Sequence, residues 1–105
     1  MDPVVITVDG TVLPKQGLVI FAGSSAMTGL TIPAPTPGLQ SAGGDDGLEV
    51  QIISSDGYAD ILQTPAGALN KTKHKLAFGV PGSGLTLTAY NGVWYSGPEY
   101  GVVLT

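Results

Sequence analysis

The 105-residue chain has no cysteine, which excludes a disulfide framework and thiolate metal sites and removes any reading of redox compartment. Charge is scarce: charged residues make up 11%, against roughly 25% in ordinary soluble domains. With 43% hydrophobic residues in so small a protein, part of the surface is expected to meet another protein. The formal charge of −4 lacks the basic footprint that phosphates demand, so nucleic acid is not an expected partner. No apolar run approaches the ~20 residues that span a bilayer, so no membrane is expected either. The opening Met-Asp-Pro-Val-Val-Ile-Thr-Val carries an acid where a signal peptide has its basic region. The expectation is a soluble protein made inside a cell and not exported by a cleavable signal. Helical periodicity is missing too, since no stretch of ten residues keeps i, i+3, i+4 spacing.

What the chain does have is punctuation. Sixteen glycines and eight prolines cut it into short pieces, and the pieces alternate. Leu85, Leu87 and Ala89 alternate with Thr86 and Thr88, then Asn91-Gly92 and Val-Trp-Tyr follow. Asn-Gly between two alternating runs predicts a two-residue type I′ hairpin. That register sets Ala89 opposite Trp94 on the face of Leu85 and Leu87, which makes these four residues a core wall. Tyr90, Thr88 and Tyr95 then lie on the outer face. A second hairpin is expected at Asp9-Gly10, between Val4–Val8 (Val4, Ile6 and Val8 on one face) and Thr11–Pro14. Gly17–Ala22 reads as a strand covered on both faces, and Gly23–Gly29 as a loop. Leu48–Ser54 (Leu48, Val50 and Ile52 inward), Tyr58–Gln63 and Thr72–Phe78 read as further strands, with turns at Ser41–Gly47 and Asp56-Gly57. The sum is one all-β domain over 1–105, an N-terminal hairpin and strand (1–29) followed by a core β region (30–105). About eight or nine short strands imply an antiparallel β-sandwich or small barrel.

Catalytic signatures are absent. The only histidine, His74, falls on the apolar face of its strand with Leu76 and Phe78, the position of a core or edge residue. No serine sits in a nucleophile elbow, Ser24-Ser25 included. Asp45, Asp46, Glu49, Asp56, Asp60 and Glu99 each lie in or beside a turn, where Asp bonds its own backbone. Gly-Gly-Asp45-Asp46-Gly47 lacks the ligand ladder of a calcium loop and reads as a structural turn. No catalytic residue, cofactor or metal is expected, and the protein is not expected to be an enzyme.

Two features point instead to an interface. Pro33, Pro35 and Pro37 cannot donate to a ladder, so Leu30–Gly38 reads as extended edge chain. Lys71, Lys73 and Lys75 are three of the four lysines, and period two puts them on one strand face. Such a stripe either protects a solvated edge strand or contacts an acidic surface, on a partner or on a neighbouring copy presenting Asp45, Asp46 and Glu49.

The succession Leu30-Thr-Ile-Pro-Ala-Pro, Gly43-Gly-Asp-Asp-Gly-Leu-Glu-Val-Gln-Ile-Ile-Ser, Leu76-Ala-Phe, Gly84-Leu-Thr-Leu-Thr-Ala-Tyr-Asn-Gly-Val-Trp-Tyr and Gly101-Val-Val-Leu resembles small β-rich virion proteins of tailed bacteriophages. These are capsid decoration (cement) or head-fibre subunits. The resemblance covers about residues 30–105 and departs from the pattern at Ala59-Asp60, where related sequences have Ala-His. It implies a structural virion protein on the capsid surface, partnered by the major capsid protein and by its own copies, with a trimer favoured by analogy. It carries over no catalytic site. The alternative is a receptor- or carbohydrate-binding module of a phage fibre, suggested by Tyr90, Asn91, Trp94, Tyr95 and Tyr100 near one hairpin.

Overall fold

The Asn91-Gly92 hairpin forms in the register that its alternation dictates. In the computed structural model, which describes residues 2–105, strand β7 (Gly84–Tyr90) pairs antiparallel with β8 (Val93–Ser96), Ala89 facing Trp94 and Thr88 facing Tyr95. Both turn residues take positive φ, 50° at Asn91 and 82° at Gly92, as a type I′ turn requires. Trp94 is 0% exposed. Its backbone N–H donates to the Ala68 carbonyl (2.7 Å), its own carbonyl accepts the Asn70 N–H (2.8 Å), and the indole Nε1–H donates to the Pro33 carbonyl (2.9 Å). The buried ring therefore has its polar edge satisfied, as burial of a tryptophan demands.

Around this hairpin stand seven more strands. These are β1 (Val4–Ile6), β2 (Gly17–Phe21), β3 (Leu30–Thr31), β4 (Glu49–Ser54), β5 (Ile61–Gln63), β6 (Lys75–Phe78) and β9 (Val102–Leu104). One sheet runs β1-β2-β4-β7-β8 and the other β3-β5-β6-β9. Among the described residues the only helical piece is a single 3₁₀ turn at Gln40–Ala42. Alternation buries one face of each sheet. Ile6, Val19, Phe21, Val50, Ile52, Leu85, Leu87, Ala89 and Trp94 come from the first sheet, and Leu30, Leu62, Leu76, Phe78 and Val102 from the second, into one continuous core. Phe21 and Phe78 meet across the sheets, edge to face, with centroids 5.1 Å apart and planes at 80°. At Gly84 the backbone of β7 leaves no room for a side chain: a Cβ there would run into the Ile52 carbonyl oxygen.

The all-β class and the strand number agree with the sequence reading, but the sheets are mixed rather than antiparallel and do not close into a barrel. β1–β2, β2–β4 and β3–β5 all pair in parallel. The Asp9-Gly10 turn forms no hairpin. Asp9 Oδ1 accepts N–H groups from Gly10 (2.9 Å) and Gly29 (2.7 Å), and the turn carries the chain away from β1 to lie against β3, where Leu13 N–H donates to Thr31 O (2.8 Å). Ile6 alone of the expected Val4/Ile6/Val8 face is buried. Nor is β2 covered on both faces: Val19 and Phe21 are buried, Leu18 and Ile20 half-buried on the outside. Leu48 stops short of β4 and is half-buried against the core. The strands expected from Tyr58 and Thr72 begin at Ile61 and Lys75.

Among the described residues two edges are left free. The outer side of β3 is covered by Thr11–Leu13, and that of β8 by Ala68–Asn70, where the Asn70 side-chain amide also pairs with Ser96 through Nδ2 to Oγ (2.9 Å) and Oδ1 from N–H (3.0 Å). β1 and β9 have no such cover.

Trp94→Ala is expected to cost roughly 3–5 kcal/mol, a large part of a total of perhaps 5–15 kcal/mol, measured by urea denaturation. The parent should show blue-shifted tryptophan emission, and an emission maximum at the position of free tryptophan would contradict the burial.

Candidate functional site

Two neighbouring carboxylates meet where the chain crosses from β4 to β5. Ser54 ends β4 facing the core, Asp56 opens the turn, and Asp60 precedes β5 at 0% exposure. Asp56 Oδ2 accepts the Gly23 N–H (2.9 Å), and its Oδ1 accepts the Tyr58 N–H (3.0 Å) and the Ser54 hydroxyl (3.0 Å). Asp60 Oδ1 accepts the Met27 N–H (2.9 Å), and its Oδ2 lies 3.4 Å from Ser54 Oγ. Together the carboxylates fasten the Gly23–Gly29 loop to the crossover.

Ser54 has one hydroxyl proton and cannot donate to both acids at once. A neutral Asp60 resolves this, because its own O–H can face Ser54 Oγ while Ser54 donates to ionised Asp56. Burial is the main force raising Asp60 to about 6; the Met27 N–H opposes it, and the adjoining Asp56 adds to it. At Asp56 desolvation works against ionisation, but the bonds from Tyr58 N–H, Asp60, Gly23 N–H and Ser54 outweigh it and hold the pKa below the ordinary value. The two titrate as a pair. No base stands near them. His74 is exposed beyond the far end of β6, four residues and about 13 Å of strand from Phe78, whose N–H bonds Asp60 O. Asp60 is sealed from any substrate, so the arrangement holds a loop and offers no reacting surface.

Asp45 and Asp46 are engaged by backbone as well. Asp45 Oδ2 accepts the Thr36 N–H (2.7 Å) and Lys15 Nζ (2.9 Å), and these contacts, Thr36 first, lower its pKa. Asp46 Oδ1 takes the Asn91 N–H (2.7 Å) and the Gly38 N–H (3.3 Å), tying the polar turn to the hairpin tip. Among the described residues no three His, Cys, Asp or Glu side chains are grouped as a metal would need.

The expected interface residues separate. Pro35 is buried, and Pro37 lies against the hairpin turn, where a Cβ on Gly92 would come within 3.2 Å of it. Pro33 is exposed and lines a groove of about 430 Å³ with Val12, Thr31, Ile32, Gln63, Thr64 and Pro65. The groove forms because β3 and β5 run parallel and each ends at a proline two residues on, Thr31-Ile32-Pro33 beside Gln63-Thr64-Pro65. Neither proline can extend the ladder. The lysines do not form one stripe. Lys71 sits in a turn with φ 68°, Lys73 bridges to Leu69, and Lys75 alone is on β6. Nor is β6 an edge; it lies between β5 and β9. Yet Lys75 is directly opposite Gln63, and His74 O accepts the Thr64 N–H (2.9 Å), so the basic turn adjoins the groove. Pro33 and Lys75 thus stand near one another on the second sheet, with Lys73 two residues before Lys75 in the turn. Val12, Gln63 and Thr64 escaped the sequence reading, and the matching pair of x-x-Pro strand ends was their one available signal.

The aromatics divide as the register implies. Tyr90 is 62% exposed at the hairpin tip, Tyr95 is half-buried on the outer face and Trp94 points inward. No flat aromatic platform results. Comparison with known proteins finds no matching family model, no matching curated protein and no matching solved structure.

The carboxylate pair fixes a pH dependence. Asp60, raised in the folded state, contributes stability that is lost as pH climbs from about 3.8 towards about 6. Asp45 and Asp56, lowered, contribute stability that is lost as pH falls below 3.8. The melting temperature should therefore peak on the mildly acidic side and decline towards neutrality. Asp60→Asn, whose amide can donate permanently towards Ser54, should flatten that decline; an unchanged slope in calorimetry would refute the assignment.

Proposed function

We propose that this chain is a structural virion protein of a tailed bacteriophage, decorating or cementing the capsid through protein–protein contacts and without catalysis. It works on the outer surface of the shell, bound to the major capsid protein, as a homo-oligomer with a trimer favoured. On this reading the two sheets are the layers of an open β-sandwich whose outer faces are working surfaces.

The observation that carries the reading is that both outer faces lack a covering layer and are poor in charge. On the first sheet Val5, Ile20 and Ile53 form one cross-strand row, with Leu18 beside it. On the second, Ile61, Ala77 and Val103 form another, Val103 being 62% exposed at the free edge. Sheets that face only water usually present polar residues outward and guard their edges with charge. Apolar rows in a chain with 11% charged residues fit burial against protein. The turn pattern resembles that of small phage virion proteins, which adds support. Its segments also depend on one another here, since Trp94 bonds Pro33 and Asp46 bonds Asn91. The fibre-tip alternative has less behind it, because the inward turn of Trp94 leaves Tyr90 without a stacked partner.

Light scattering should give a trimer mass, and incubation with undecorated capsids should give stoichiometric attachment that raises capsid melting temperature. A monomer that ignores capsids would end the decoration reading; binding of that monomer to a glycan array would move the fibre-tip reading into its place.

A further inference from the structure

We infer that the groove between Val12 and Pro65, together with the adjoining basic turn, docks an extended acidic segment of the partner protein, an aliphatic or proline side chain in the groove and a carboxylate on the lysines. The inference rests on the decoration reading for the identity of the partner, and on geometry for the rest.

Complementarity defines the occupant. The one ion pair among the described residues joins Lys15 to Asp45. Lys71, Lys73 and Lys75 are in no ion pair with an Asp or Glu side chain, and the Thr105 carbonyl end beside them is taken up by the His74 and Lys75 N–H groups (2.9 and 3.0 Å). The three lysines are the whole of the remaining positive charge in a chain of net −4, concentrated in five residues. Lys73 and Lys75 are half-buried, so their charges are screened less than those of fully exposed lysines. The groove beside them is lined chiefly by apolar side chains and has no lysine among its walls. A segment that satisfies both must be apolar at one point and acidic at another.

Register gives the spacing. Thr31, Gln63 and Lys75 are consecutive partners across β3, β5 and β6. With strands ~4.8 Å apart, the groove floor and Lys75 are about 10 Å apart, the span of about three extended residues. Pro33 and Pro65 present no N–H, so the segment is held by side chains rather than by addition of a strand. The apolar anchor then carries affinity, while the lysines set register and on-rate and make binding fall with salt.

The test uses the full chain, 15N-labelled, and 15-residue peptides tiling the capsid-shell protein encoded with it. Peptides with an aliphatic residue or proline about three positions from an Asp or Glu should shift the amides of Val12, Thr31, Gln63 and Lys75. Affinity should drop at least tenfold in Lys73→Glu/Lys75→Glu and in Val12→Asp, whose spectra elsewhere should match the parent. Absence of groove shifts with every peptide overturns the inference. So does equal capsid attachment by parent and variants, which leaves decoration standing and the groove without a part in it. A parent that ignores capsids sinks the decoration reading separately, and the peptide titration still decides the groove. Groove shifts that appear on self-association, or with a 15-nucleotide oligo-dT, would assign it to a second copy or to nucleic acid and overturn the inference.

Discussion

One buried side chain ties the two sheets and their connections together. Trp94 packs opposite Ala89 because the small residue leaves room for an indole, and its position makes three separate segments depend on it. Its backbone holds the Ala68–Asn70 loop against β8, closing that edge, and its Nε1–H holds the carbonyl of Pro33 as the chain leaves β3. Pro33 has no N–H with which to continue a ladder, while its carbonyl still requires a donor, and the indole supplies it. The path of the proline segment, and with it the shape of the groove beside Pro33, therefore follows from a ring buried in the other sheet.

That dependence explains what could be seen in the chain beforehand. The hairpin was fully legible, turn and register alike, because Asn91-Gly92 encodes its geometry within two residues and the flanking alternation settles which side chains face inward. Asp9-Gly10 bears the same kind of signal and does something else. Its carboxylate finds the Gly29 N–H twenty residues away, and β1 finds β2 in parallel, a pairing that no short turn can announce. The lysine spacing misled for a related reason: period two holds only inside a strand, and Asn70 and Lys71 take positive φ before β6 begins. Asp60 looked like any turn aspartate, since burial depends on the loop that folds over it.

The division of labour among the acids bears on function as much as on stability. Asp45, Asp46, Asp56 and Asp60 accept backbone N–H groups from distant segments and so hold loops where a helix or a disulfide might otherwise serve. With Asp9, which takes the Gly29 N–H, five of the eight acids are turned to internal use, and the outer faces of both sheets are left with aliphatic rows and few charges. Among the described residues, then, both sheets keep an uncovered outer face and an unpaired edge strand, the features on which the decoration proposal rests.

Hydrogen–deuterium exchange on the chain alone and on chain-decorated capsids tests that claim most directly. Amides of Trp94 and the β7–β8 hairpin should be protected in both states, since the fold itself protects them. Attachment should add protection to β5, β6 and β9, around Gln63, Lys75 and Val103. Unchanged exchange across both sheets, with new protection only at Tyr90–Val93, would contradict it and place the contact at the hairpin tip.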